Sequence, residues 1–78
     1  MKQAHRVAKQ FAICVSNKGY QTSLEKRKIY QLIPDADATQ HHQVRVIDES
    51  GEDYLYPEDY FIFVDLPSAT QKVLLSAA

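Results

Sequence analysis

Phe11, Ile13 and Val15 alternate with Ala12 and Cys14, a period-two pattern that predicts a β-strand over Phe11–Val15 with at least one buried face. Ser16-Asn17-Lys18-Gly19 follows as a turn, with Asn17 and Gly19 the residues that tolerate positive φ. Lys28–Ile33 is rich in β-branched and aromatic residues and reads as a second strand, which Pro34 must end because proline cannot donate to a ladder. Gln43–Asp48 is the third strand, with Val44 and Val46 on one face and Arg45 and Ile47 on the other. Glu49-Ser50-Gly51-Glu52 is a hairpin signal, Gly51 supplying the positive φ, and Asp53–Tyr56 returns as the fourth strand. Pro57-Glu58-Asp59 predicts a short 3₁₀ turn. Tyr60–Leu66 is the fifth strand, apolar on both faces apart from Asp65, and is expected to be central or closing in the sheet.

Two short helices interrupt this pattern. Asp35–His42 reads as one or two turns, with Asp35 as N-cap, Asp37 in the first turn, and His41 and His42 at the negative end of the dipole. Near the C-terminus, Pro67-Ser68-Ala69-Thr70-Gln71 opens a helix, and Ser68 and Gln71 have capping-box spacing. Val73, Leu74 and Ala77 lie along one face, and because a helix of about ten residues is marginal alone in water, Val73 and Leu74 are expected to dock on the sheet, where they could cover an open barrel end. For residues 3–10, a helical turn, an extension of the first strand and a frayed end remain equally compatible with the spacing of Ala4, Val7, Ala8 and Phe11. Five short strands without βαβ spacing predict a mostly β fold: a small SH3-like barrel with a short C-terminal helix, occupying residues 1–78 as one domain.

Composition narrows the setting. At 78 residues there is room for one core, and 45% apolar with 24% charged residues is the balance of a globular chain. Cys14 is the only cysteine, so the fold rests on packing without an internal disulfide, as a reducing compartment would require. No apolar run is long enough for a secretory core or a membrane span, so the expected location is cytoplasmic and no membrane partner is expected. The net charge is −1 but unevenly placed: residues 1–30 hold seven Lys/Arg against Glu25, and residues 31–66 hold nine Asp/Glu against Arg45. The reading preferred here is attraction between these halves, within the fold or between molecules, over a nucleic-acid surface.

Leu55-Tyr56-Pro57-Glu58-Asp59-Tyr60-Phe61-Ile62 resembles the end of an SH3 domain, where a strand meets a P-x-x-Y 3₁₀ turn and the last strand follows. Pro57 and Tyr60 match that motif, and the resemblance implies that they help to line a peptide groove. The SH3 groove also uses an A-L-Y-D-Y stretch and a tryptophan; this chain has neither, so the resemblance implies a groove without polyproline specificity. Residues 45–57, R-V-I-D-E-S-G-E-D-Y-L-Y-P, are in addition similar to the signature of a small bacterial family of uncharacterised proteins, which implies a bacterial origin and no particular chemistry.

Several residue groups invite a chemical reading. His41 and His42 with Asp35 and Asp37 suggest a metal, but adjacent histidines point to different sides, and helix-dipole complementation explains them without an ion. Asp48, Glu49, Glu52 and Asp53 match no calcium-loop spacing. Catalysis by these carboxylates or by Cys14 needs a pocket that shifts their pKa values, and a strand-embedded thiol behaves as a small hydrophobe. No enzyme activity, cofactor or metal is therefore expected. Lys26-Arg27-Lys28, beside Tyr20 and Tyr30 and with Arg45, is the nucleic-acid alternative. The leading expectation is a non-catalytic interaction module whose protein partner is not identified by the sequence. It would hold a basic or amphipathic segment in a groove at Tyr56, Pro57 and Tyr60, rimmed by Asp48, Glu49, Glu58 and Asp59. An exposed sheet edge could alternatively make a homodimer.

Overall fold

A computed structural model describes residues 10–76, so the open question over residues 3–10 falls almost wholly outside the described residues; only Gln10 is seen, as the first residue of a strand. Five strands form: β1 (Gln10–Cys14), β2 (Ile29–Ile33), β3 (Gln43–Ile47), β4 (Asp53–Pro57) and β5 (Phe61–Val64). Helix α1 (Ala36–Gln40) lies between β2 and β3, a single 3₁₀ turn η1 (Glu58–Tyr60) between β4 and β5, and helix α2 (Ser68–Ser76) follows β5. All strand pairs are antiparallel, in the order β4-β3-β2-β1-β5. The result is mostly β, one five-stranded sheet with a short C-terminal helix, and the sheet is not closed into a barrel.

Register decides which residues meet. Opposed residues in an antiparallel pair share a face, so the pairs Ala12–Tyr30, Leu32–Val46, Val44–Tyr56 and Cys14–Phe61 place one apolar set on a single side. That set is buried, and Leu24 from the long connection between β1 and β2 packs over it, with Tyr20 and Tyr60 at the margin. The expected alternation in β3 holds: Val44 and Val46 are buried, while Arg45 and Ile47 point away.

Local chemistry explains the turns. Asp35 accepts from the Ala38 amide at 3.0 Å and caps α1, and the His41 ring Nδ1–H donates to the Asp37 carbonyl at 2.9 Å, satisfying a group that the helix end leaves open. Gly51 takes φ 85° in the β3–β4 hairpin, where the Asp48 carbonyl accepts from its amide at 2.9 Å. Gly19 also takes the left-handed region, but Asn17 does not; its side chain instead donates to the Leu24 carbonyl at 3.0 Å and pins the connection that carries Leu24.

Three expectations are corrected. Strand β5 is neither central nor closing: it lies at the sheet edge and pairs only with β1 among the described residues. A continuous apolar run looks the same in sequence whether both faces are covered or await cover. The docking of α2 also fails, since no residue of α2 is buried and Val73 is 65% exposed; Ala77 lies outside the described residues. The core face of the sheet is instead covered by Leu24, with Tyr20 and Tyr60 at its margin. Finally, Ser68 is the first helical residue and not a cap, so the capping box does not form; Gln71 donates from Nε2 to the Leu66 carbonyl at 2.8 Å instead.

Candidate functional site

The tyrosines assemble into a row. Tyr54 and Tyr56 alternate with Leu55 along β4 and so share the core face, with ring centroids 5.8 Å apart. Tyr20, carried in by the β1–β2 connection, meets Tyr56 edge-on at 4.9 Å and Tyr60 at 6.1 Å. The order across the surface is Tyr54, Tyr56, Tyr20, Tyr60. Tyr56 is 1% exposed and forms the floor, whereas Tyr54 is 61% exposed and forms an open wall. Edge-to-face contacts of this kind hold rings rigidly without filling the space above them.

A cleft of about 340 Å³ opens at the Tyr54 end of the row, lined by Tyr20, Ser23, Tyr54 and Tyr56 together with Asp48 and Glu52 of the β3–β4 hairpin. Its carboxylates differ in freedom. Asp48 accepts from the Ser50 amide at 2.9 Å and the Ser50 hydroxyl at 2.6 Å through Oδ1, and from the Tyr56 hydroxyl at 2.5 Å through Oδ2. Burial pulls the Asp48 carboxyl upward, but these hydrogen bonds outweigh it and hold the group below its ordinary value. The same arrangement, burial first and then the bond to Asp48, pushes the Tyr56 hydroxyl up to about 12. Asp48 is thus a fixed negative charge at the floor, while Glu52 is exposed at the rim.

The predicted groove residues are divided by this geometry. Tyr56, Tyr60 and Asp48 belong to the row or its floor. Glu49 lies on the same hairpin but is engaged elsewhere: it accepts from Lys28 Nζ at 2.5 Å and from the Tyr30 hydroxyl at 2.6 Å, and those bonds lower its pKa. Pro57 pairs with Gln43 at the far end of β4, and η1 starts directly after it. Glu58 donates its amide to the His42 carbonyl at 2.9 Å and lines a second opening, and Asp59 is exposed beside it. Roughly 14 Å of strand separates the two acidic groups, at about 3.4 Å per residue, so they do not form one rim. Tyr60 anchors the row by donating its hydroxyl to the Lys18 carbonyl at 2.8 Å.

Sequence reasoning missed Tyr20, Ser23, Glu52 and Tyr54 as lining residues. Tyr54 had a local signal, its alternation with Tyr56. Tyr20 and Ser23 had none, because they lie in an aperiodic connection that meets β4 only through the fold.

The basic residues do not converge. Lys28 stands just before β2 and bonds to Glu49, whereas Arg45 lies opposite Ile33 at the other end of β2. Arg45 donates through Nε to Asp35 and through Nη1 to Asp53, each at 2.8 Å, so its charge is matched inside the chain. Lys26 and Arg27 are exposed; Lys28 Nζ lies 5.6 Å from the centre of the Tyr30 ring, but that ring is buried and Tyr20 belongs to the row, so neither tyrosine offers the triplet an exposed stacking face.

The second opening, about 400 Å³, has Leu32, Val44 and Phe63 on its apolar side and the Arg45–Asp35 pair on its polar side. Arg45 there is already matched by Asp35, and Glu58 adds a further carboxylate to the lining. Cys14 is buried, donates its thiol to the Ser16 carbonyl at 3.2 Å, and has its pKa raised by burial, opposite to what a nucleophile requires. No group of three or more His, Cys, Asp or Glu able to hold a metal ion occurs among the described residues, and none of their helices is long and apolar enough to cross a membrane. No protein family, characterised protein or solved structure matches this chain.

Proposed function

We propose that the chain is a non-catalytic, SH3-like interaction module that holds a basic segment of a partner protein against the tyrosine row. The observation that carries this reading is the cleft itself: an exposed Tyr54 and a Tyr20 wall above a Tyr56 floor, with Asp48 and Glu52 at the hairpin side. Tyrosine faces attract guanidinium and ammonium groups, and carboxylates beside them add charge selectivity. Rigid aromatic rings also give contact area at little entropic cost. The SH3-like reading is supported by the five strands and by the 3₁₀ turn Glu58–Tyr60, which follows Pro57 and precedes β5 as in the P-x-x-Y motif. The nucleic-acid alternative is weakened by the internal pairing of Lys28 and Arg45.

A labelled decapeptide alternating arginine and alanine tests the reading by fluorescence anisotropy, with its glutamate–alanine counterpart as control. Binding of the basic peptide alone is expected, weakened at least about tenfold by Tyr54→Ala, the loss of one aromatic anchor, and unchanged by Lys26→Ala. Equal binding by wild type and Tyr54→Ala overturns the assignment of the site. Binding of an oligonucleotide that Lys26→Ala abolishes, with none of the basic peptide, favours the alternative.

A further inference from the structure

The sheet has two edges, and they differ in how they are guarded. Strand β4 begins with Asp53 and ends with Pro57, a charge and an imino acid of the kind that discourage pairing. Strand β5 reads Phe-Ile-Phe-Val, with neither charge nor proline within it. Both of its faces reach solvent: Ile62 is 59% and Phe63 50% exposed, although their side chains point to opposite sides of the sheet.

The hydrogen-bond pattern shows which main-chain groups of β5 point outward. Cys14 donates its amide to Lys28 and accepts from Arg27, so both its groups face the β2 side, whereas Val15 donates to the Tyr60 carbonyl. Alternation along β1 therefore turns Phe11 and Ile13 toward β5. Their opposed residues, Val64 and Ile62, turn back toward β1. Phe63 accordingly presents both its N–H and its C=O at the outer edge. Phe61 adds its C=O there, its amide being used by the Glu58 carbonyl.

We infer that β5 pairs antiparallel with β5 of a second copy, about a two-fold axis at Phe63, to make a continuous ten-stranded sheet across a homodimer. In this register Phe63 exchanges two main-chain hydrogen bonds with the partner's Phe63, and the Phe61 carbonyl accepts from the amide of the partner's Asp65. Side chains agree on both faces. Phe63 meets the partner's Phe63 on one side, and Ile62 meets the partner's Val64 on the other. The charge pattern favours a second copy, because the paired segment 61–65 carries one charge, Asp65, and it falls opposite the partner's Phe61, so no like charges are opposed. The tyrosine row is built on β4 and the β1–β2 connection, so each copy carries its own cleft.

Sedimentation velocity on the full chain over a wide concentration range tests the inference. The wild type is expected to be dimeric at high concentration. Ile62→Lys, at an exposed position that leaves the monomer folded by circular dichroism, is expected to raise the dimer dissociation constant at least about tenfold. Phe63→Cys is expected to form a disulfide-linked dimer under mild oxidation, since opposed residues in such a pair lie about 5.5 Å apart, within disulfide reach. Tyr54→Cys, at a position more exposed than Phe63 but away from the axis, is expected to cross-link far more slowly. A wild type that stays monomeric at the highest attainable concentration overturns the inference. So does a dimer that Ile62→Lys leaves intact, or cross-linking no faster at position 63 than at 54.

Discussion

Tyr56→Phe removes one oxygen and leaves the ring in place, so it tests the hydroxyl's bonds at the floor of the cleft, the larger to Asp48 and the smaller to Ser23. The Tyr56 hydroxyl donates to Asp48 Oδ2 at 2.5 Å, and the residue is 1% exposed. A hydrogen bond to a charged group contributes about 1.5–3 kcal/mol. Asp48 is only partly buried and keeps both Ser50 bonds, so water can reach its vacated oxygen and the loss belongs at the low end, about 1.5 kcal/mol. A chain of 78 residues has a total stability of roughly 4–12 kcal/mol, which makes this a substantial fraction. The corresponding fall in Tm is about 6–12 °C for a domain of this size. Urea denaturation followed by circular dichroism measures it, with an unchanged m value showing that only stability has moved. Combining the change with Asp48→Asn closes a double-mutant cycle with an expected coupling of about 1 kcal/mol. A cost below about 0.5 kcal/mol, or a coupling near zero, refutes the reasoning that this bond ties the hairpin to the core.

Other expectations follow from the same contacts. Leu24→Ala empties the fully buried anchor of the β1–β2 connection and is expected to cost about 3 kcal/mol in urea denaturation; loss of under 1 kcal/mol would mean that the connection does not cover the core. Gly51→Ala meets no atom within 4 Å, so only its φ of 85° is penalised, and about 1 kcal/mol is expected from the same assay. Acid titration has a definite sign. The folded pKa values of Asp48 and Glu49 lie below their ordinary 3.8 and 4.5, so their stabilisation is complete above those values and is lost as pH falls through the folded ones. At the alkaline end the Tyr56 pKa is raised from 10.0 to about 12, so its contribution is lost as pH rises across that interval. Stability profiles of wild type and Tyr56→Phe should therefore converge at both extremes.

What was legible in the sequence was local. Val44 and Val46 alternate with Arg45 and Ile47, Gly51 stands where the hairpin needs positive φ, and Pro57 precedes its 3₁₀ turn; each signal lies within a few residues of the structure it specifies. Strand β5 was recognisable as a strand, but its place in the sheet was not, because apolar side chains on both faces do not say whether a neighbour lies beyond. The cover of the core comes from Leu24 and Tyr20, whose segment has no periodicity and whose destination is set by long-range contacts. The same holds for the site. Tyr56 and Tyr60 were readable as neighbours around Pro57, yet the cleft exists only because Tyr20 crosses from another part of the chain to stand between them. The acidic residues illustrate the converse. Asp48, Glu49, Glu58 and Asp59 are close in sequence, but β4 carries the second pair to the opposite end of the strand.

The tyrosine cleft is tested most directly by mapping amide shifts while the arginine–alanine decapeptide is titrated into isotope-labelled protein. Shifts concentrated at Tyr20, Ser23, Ser50, Glu52 and Tyr54 are predicted, with Lys26 and Arg27 unmoved. Shifts confined to residues 26–28, or centred on the opening beside Phe63, would contradict the account.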